Sequence, residues 1–272
     1  MKKILCPTDF SDAAHTAVAY AAKLAQEINA ELTLLNVQSM FDLTPVDVMR
    51  GKEQAIAATQ QQLEAQSREV TKAFRISCYA EVEATVRKLS AVIHDKAKRY
   101  DLIVMGSNGP DDLYQLFSGS NTYNAVVKSE VPLLIVPEGY TYSKIKTMVL
   151  AFDYLRERNL PLTRLVPILK ALECELTVLQ VTEEAYSKDA EDDLKELQFI
   201  LKNFYGNDFR FQYDTIRSAE IAQSVNSYIV RNQPDVLALY SEHHNLFGKI
   251  FHKSVIKNIS AVCSYPVLVF HA

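Results

Sequence analysis

The chain has 272 residues, of which 48% are hydrophobic and 23% charged, and a formal net charge of -4. That length holds one large or two small domains with real cores, and the charge excludes a nucleic-acid binder, because no basic excess exists to neutralise phosphates. No run of 18 apolar residues is present to span a membrane, and the start MKKILCPTDF meets Pro7 and Asp9 too soon for a secretory leader, so the expectation is a cytoplasmic protein.

In chain order, short apolar runs alternate with segments of helical period. KKILCP is followed by a helix near 12–28, LTLLNV by a helix near 47–73, ISCYAEVE by a helix near 85–99, DLIVMG by a helix near 120–129, and PLLIVP closes the series. In the first helix Ala14, Ala17, Ala21, Leu24, Ala25 and Ile28 recur at three- and four-residue steps. Asp9, Ser11 or Asp12 can cap it, Asp12 standing just ahead of the periodic stretch. Unbroken apolar strands belong to parallel sheets covered on both faces. The series then begins again: TMVLAF, a helix near 160–173, LTVLQV, a helix near 189–205, FRFQYDT, a helix near 218–232, DVLALY, a helix near 254–263, and PVLVFHA.

The chain therefore reads as a tandem repeat. Asp9 to Val37 and Asp153 to Val181 both span 28 residues, and Asp101 to Ser120 and Asp235 to Ser254 both span 19. The expected architecture is two doubly wound, parallel, five-stranded α/β sheets of Rossmann-like order 3-2-1-4-5. Their domains are 1–140 and 141–272, with the boundary in the polar stretch EGYTYSK, 138–144.

In such a sheet, ligands bind beyond the carboxyl ends of the strands where the order reverses, between the first and fourth. The bordering loops are PTDFS, 7–11, and GSNGPDDLYQLFSGSNT, 106–122. The second loop holds Gly106, Gly109 and Gly119, three of only seven glycines. Gly106 and Gly109 permit a sharp turn with exposed amides, and Gly119-Ser120-Asn121-Thr122 opens a helix whose first N–H groups lack internal partners, a natural anion site. The same residues would also serve a plain strand-to-helix turn with Ser120 as cap. The loop is neither a Walker A sequence nor G-x-G-x-x-G.

The spacing G-x2-G-x9-G-S at Gly106, Gly109, Gly119 and Ser120, with PTDFSDAA and PLLIVP, resembles the ATP-binding signature of the universal stress protein family, and the resemblance covers the whole chain as two tandem copies of the domain. The resemblance implies that Asp9 and the backbone of Val37 hold adenine, Gly106 meets the ribose, and Gly109, Gly119, Ser120 and Asn121 hold the phosphates. Pro7, Thr8 and Met105 complete the candidate nucleotide site for ATP, with or without magnesium. The loop departs from the binding members at Pro110, Asp111 and Asp112, where they usually carry glycine or a basic residue. Two carboxylates facing phosphates would repel by roughly 1 to 4 kcal/mol each at about 4 Å. Pointing outward, they would cap a short helix through Leu113, Leu116 and Phe117 instead.

In the second half Tyr240, His243 and Lys253 stand at the positions of Gly106, Gly109 and Gly119, leaving only Ser254 in kind, so a nucleotide is expected in the first half alone. His243 and His252 fall on opposite sides of any continuous helix, and Cys6, Cys78, Cys174 and Cys263 are dispersed, so neither a metal nor a redox site is expected. The adenine-nucleotide hydrolase motifs S-G-G-x-D-S and H-x-G-H are absent, and nothing suggests a dedicated catalytic residue. The alternative function is a nucleotide-free interaction protein of the same fold. The resemblance also implies pairing of PLLIVP with PVLVFHA within one chain as a pseudo-dimer, since single-domain relatives dimerise through this strand and unpaired apolar edges aggregate; a further homodimer is open.

Overall fold

The computed structural model describes residues 1–39, 48–87, 89–108, 131–151, 162–182, 195, 198–199, 202–203, 210–241 and 264–271. The chain divides into two compact units, Met1–Tyr142 and Ser143–Ala272. The first contains β1 (Lys3–Pro7), α1 (Asp12–Ile28), β2 (Glu31–Ser39), α2 (Val48–Phe74), β3 (Cys78–Thr85), α3 (Leu89–Ala97), β4 (Leu102–Ser107) and β5 (Leu133–Pro137). The second contains β6 (Thr147–Ala151), α4 (Leu162–Leu172), β7 (Glu175–Thr182), β8 (Phe211–Arg217), α5 (Ile221–Asn232), β9 (Val236–Ser241) and β10 (Val267–His271).

Within the first unit the strands lie in the order β3-β2-β1-β4-β5, every pair parallel. Within the second the order is β8-β7-β6-β9-β10, again parallel throughout. Both are the doubly wound order that the alternating pattern implies. Ile4, Leu5 and Cys6 of β1 have no exposed surface, and Leu32, Leu34, Ile103 and Val104 on its neighbours are equally enclosed. A strand covered on both faces must be apolar at every position, and this accounts for the unbroken runs.

The alanine periodicity of α1 buries Ala14, Ala17, Ala21 and Ala25 against the sheet, allowing the helix to approach closely. Its N-cap is Ser11, whose Oγ accepts from the Ala14 N–H at 3.3 Å; Asp12 is the first helical residue rather than the cap. Asn29 ends the helix in the left-handed region at φ 53°, its N–H bonded to the Ala25 carbonyl. After β5 the chain runs back along this helix. The Gly139 N–H donates to Thr16 Oγ1 at 3.1 Å, Tyr140 and Tyr142 pack on the buried Tyr20 at centroid distances of 6.1 and 4.8 Å, and the Tyr142 hydroxyl donates to the Glu27 carboxylate.

Each sheet is fastened by the same device. The Asp101 carboxylate accepts the N–H groups of Lys2 at 2.6 Å and Lys3 at 3.0 Å. Its counterpart Asp235 accepts those of Lys146 at 2.8 Å and Thr147 at 2.9 Å. In return the Asp101 N–H donates to the Lys3 carbonyl and the Asp235 N–H to that of Thr147. The aspartate preceding the fourth strand thus fixes the start of the first.

Candidate functional site

The carboxyl ends of β2, β1 and β4 are adjacent, and they gather Val37, the loop from Pro7 to Asp9, Met105 and Gly106. Pro7 is the last residue of β1, paired with Leu35. Thr8 is buried: its N–H donates to the Leu35 carbonyl at 2.8 Å and its Oγ1 accepts from the Phe10 N–H at 3.2 Å. Asp9 is exposed, and its Oδ1 accepts both the Ser11 hydroxyl at 2.6 Å and the Ser11 N–H at 3.0 Å. Burial pushes this carboxyl up, but the two bonds from Ser11 outweigh it and hold Asp9 below the usual carboxylate range. Asp9 is therefore a firmly ionised group at the mouth of the loop.

Between them Phe10 sits at φ 66°, a left-handed conformation that a bulky side chain adopts only when its surroundings impose it. Here the Asp9–Ser11 bonds on one side and the Thr8 hydroxyl on the other hold it. Such strained residues cluster at ligand clamps.

Val37 is half-buried in β2, two residues beyond Leu35, the last partner of β1. The Glu31 N–H donates to Lys2 and the Leu35 carbonyl accepts from Thr8, so odd residues of β2 face β1. By the two-residue period of a strand, the main-chain edge of Val37 turns toward the same side, past the end of β1. An acceptor and donor pair on that edge is what the rim of a purine requires.

Met105 and Gly106 are half-buried on β4 and pair with Ile135 and Val136. Gly106 is glycine for a definite reason: a Cβ there would lie 2.2 Å from the Ala13 carbonyl oxygen and 2.5 Å from its carbon. The demand for glycine at this point comes from the start of α1. Gly109, Gly119, Ser120 and Asn121, with Asp111 and Asp112, lie outside the described residues, as do His243, His252 and Cys263.

Asn36 is a member of this site that sequence reasoning missed. It is 8% exposed, and its Nδ2 donates to the Thr8 carbonyl at 2.8 Å, tying the loop to β2. The signal was available: an asparagine in the apolar run LTLLNV is buried, and a buried amide needs a partner. In the second unit the corresponding Gln180, 2% exposed, accepts from the Tyr213 hydroxyl while its Nε2 has no partner.

Elsewhere, a cavity of about 450 Å³ opens at the opposite, amino-terminal end of the strands, among Lys2, Lys3, Gln26, Glu31, Phe74 and Arg75, remote from the candidate site. Among the described residues no group of three His, Cys, Asp or Glu side chains is placed to hold a metal, and no helix is long and apolar enough to cross a membrane. Cys6, Cys78 and Cys174 are free, and burial raises all three thiols, that of Cys174 to about 12.

A doubly wound parallel sheet with polar loops gathered at its switch point defines an α/β protein of Rossmann-like architecture. The chain belongs to the universal stress protein family, whose model matches residues 1–137. It is 27% identical over 152 residues to a universal stress protein of Methanocaldococcus jannaschii, a match covering 50% of this chain and 94% of that one. A second from the same organism is 25% identical over 138 residues, covering 50% of this chain and 81% of that one. Among solved structures, a universal stress protein from Archaeoglobus fulgidus superposes with a TM-score of 0.68 at 14% identity, covering 99% of this chain and 96% of its own.

Proposed function

We propose that this chain is a cytoplasmic universal stress protein that binds ATP, with or without magnesium, in its first unit and uses that binding to sense or respond to stress. The observation that carries the reading is the convergence at one switch point of the ionised Asp9, the strained Phe10 and the main-chain edge of Val37, beside the β4 end that leads into the glycine-rich loop. Val37 and Asp9 would hold adenine, and Gly106 the ribose. The sequence supplies Gly109, Gly119, Ser120 and Asn121 for the phosphates, with Pro7, Thr8 and Met105 lining the approach. The second unit, with Tyr240, His243 and Lys253 in place of the glycines, would hold none.

A nucleotide-free interaction protein is the second reading. It is favoured by Asp111 and Asp112 in the loop and by the packing against Ala13 that alone accounts for Gly106. Calorimetric titration of the full chain with ATP and with Mg-ATP separates the two. Micromolar or weaker binding at one nucleotide per chain is expected; no heat at millimolar ligand would leave the interaction protein. Asp112→Gly should tighten binding between about fivefold and about a thousandfold, the span that roughly 1 to 4 kcal/mol of relieved repulsion gives. Gly119→Val should abolish it.

A further inference from the structure

Between the two units the ladder from the first strand to the fourth differs. In the second unit β6 pairs with β9 at four positions, from Met148–Val236 to Ala151–Leu239. In the first unit β1 pairs with β4 only at Ile4–Leu102 and Leu5–Ile103. The next rung is missing for a chemical reason. The Ile103 N–H goes to the Pro132 carbonyl on the β5 side, so Leu102 and Val104 face β1. On β1, the Thr8 N–H and Lys2 carbonyl bond to β2, so residues 5 and 7 face β4. The rung after Leu5 would run from the N–H of residue 7 to the Val104 carbonyl, and residue 7 is proline. At the equivalent place Ala151 has the N–H, directed by the same parity at the Ala238 carbonyl, and the ladder continues.

The same end of β1 is held toward β2 instead. The Thr8 N–H reaches Leu35 at 2.8 Å, and Asn36 Nδ2 secures the Thr8 carbonyl at 2.8 Å. The chain is thus fastened on one side of the switch point and released on the other, the side toward Met105 and Gly106.

We infer that Pro7 is a positioning residue: by withholding one N–H it ends the β1–β4 ladder early and leaves the switch point of the first unit free to admit a planar ligand, whereas Ala151 seals that of the second. This rests on the nucleotide reading above for the ligand's identity, and on the ladder alone for the seal.

The test is Pro7→Ala in the full chain, read by residue-resolved amide hydrogen exchange and by ATP titration. The alanine introduced at position 7 should carry an amide protected at least a hundredfold over a free peptide, and ATP affinity should fall at least tenfold while the unfolding midpoint does not fall. A loss of affinity from general damage would bring that midpoint down and leave the new amide unprotected. Ala151→Pro is the converse variant, and the Tyr240 amide, which the parity of β9 directs back at the carbonyl of residue 151, should lose protection in it. A freely exchanging amide at position 7 in folded Pro7→Ala protein, or a protected one with ATP affinity unchanged, overturns the inference. If the wild type binds no ATP at millimolar concentration, the nucleotide reading fails, and the exchange at position 7 and at Tyr240 in the two variants still decides whether proline ends the ladder.

Discussion

Replacing Gly106 with alanine tests whether this glycine is dictated by the packing of α1. The added Cβ would sit 2.2 Å from the Ala13 carbonyl oxygen, 2.5 Å from its carbon and 3.0 Å from the Ala14 nitrogen. All three are backbone atoms, so no side chain can rotate away. Restoring a normal contact requires the start of α1 to retreat by about 1 Å, lifting Ala13, Ala14 and Ala17 off a sheet they touch directly. Overpacking of this kind costs about 1 to 3 kcal/mol. At about 2 kcal/mol, and a urea dependence of about 2 kcal/mol/M for a unit this size, the midpoint of the first unit falls by about 1 M. The chain has no tryptophan, so the assay is hydrogen exchange along a urea series, reading α1 and β4 peptides separately from those of the second unit. Gly51→Ala is the control: a Cβ there meets nothing within 4 Å in the interior of α2 and should stabilise by about 0.5 to 1 kcal/mol. An unchanged or raised midpoint for Gly106→Ala would refute the packing argument and return the glycine to the ligand.

Asp101→Ala and Asp235→Ala should each destabilise their own unit by about 1 kcal/mol or more and release the amides of Lys2 and Lys3, or of Lys146 and Thr147, to fast exchange, as each carboxylate accepts from both. Lys96 carries a signed pH dependence. Its burial disfavours the charge, but Glu81 and Glu83, the latter 2.7 Å away, outweigh that and raise its pKa. A folded pKa above the unfolded one stabilises at all pH below the usual lysine range and ceases to do so as pH rises through the raised value. The stability gap between wild type and Lys96→Met should therefore be constant from about pH 7 to 9 and close above about pH 10.5; a gap that widens there refutes the pairing. Cys6 and Cys174, buried and with raised thiol pKa values, should resist iodoacetamide at pH 8 in native protein and label at once in urea, as mass spectrometry of their peptides will report.

The fold was legible because parallel strands buried on both faces leave so plain a signature: KKILCP, DLIVMG and DVLALY each coincide with a strand. The helix from 12 to 28 was legible from its alanine spacing, although its cap was not, since Asp9, Ser11 and Asp12 have similar capping chemistry and only geometry selects Ser11. The roles of Asn36 and of Asp101 and Asp235 were hidden because each depends on a partner 28 or more residues away. Gly106 shows the opposite difficulty. Its presence in a glycine-rich loop suggested a ligand, while the atom that requires it belongs to Ala13 in another element. A glycine records that something comes close, and the sequence does not say what.

Duplication separates the groups that make this fold from those that make its site. Positions serving the fold are matched between units. Asn29 and Glu173 both end helices in the left-handed region, at φ 53° and 52°; the Glu31 and Glu175 N–H groups both bond back to the residue before the first strand; and Asp101 and Asp235 both clamp that strand. At the switch point Asp9 and Val37 recur as Asp153 and Val181, whereas other positions are not matched. Pro7 corresponds to Ala151, Asn36 to Gln180, and Gly106 to Tyr240, which occupies the same register place, pairing with Phe270 as Gly106 pairs with Val136. These differences at the strand ends do not come from relaxed demands on the core, because the core positions beside them, Leu5 and Val149 or Ile103 and Leu237, stay apolar and buried in both. The two units therefore fold under the same constraints while their switch points differ, and the nucleotide proposed for the first does not carry over to the second.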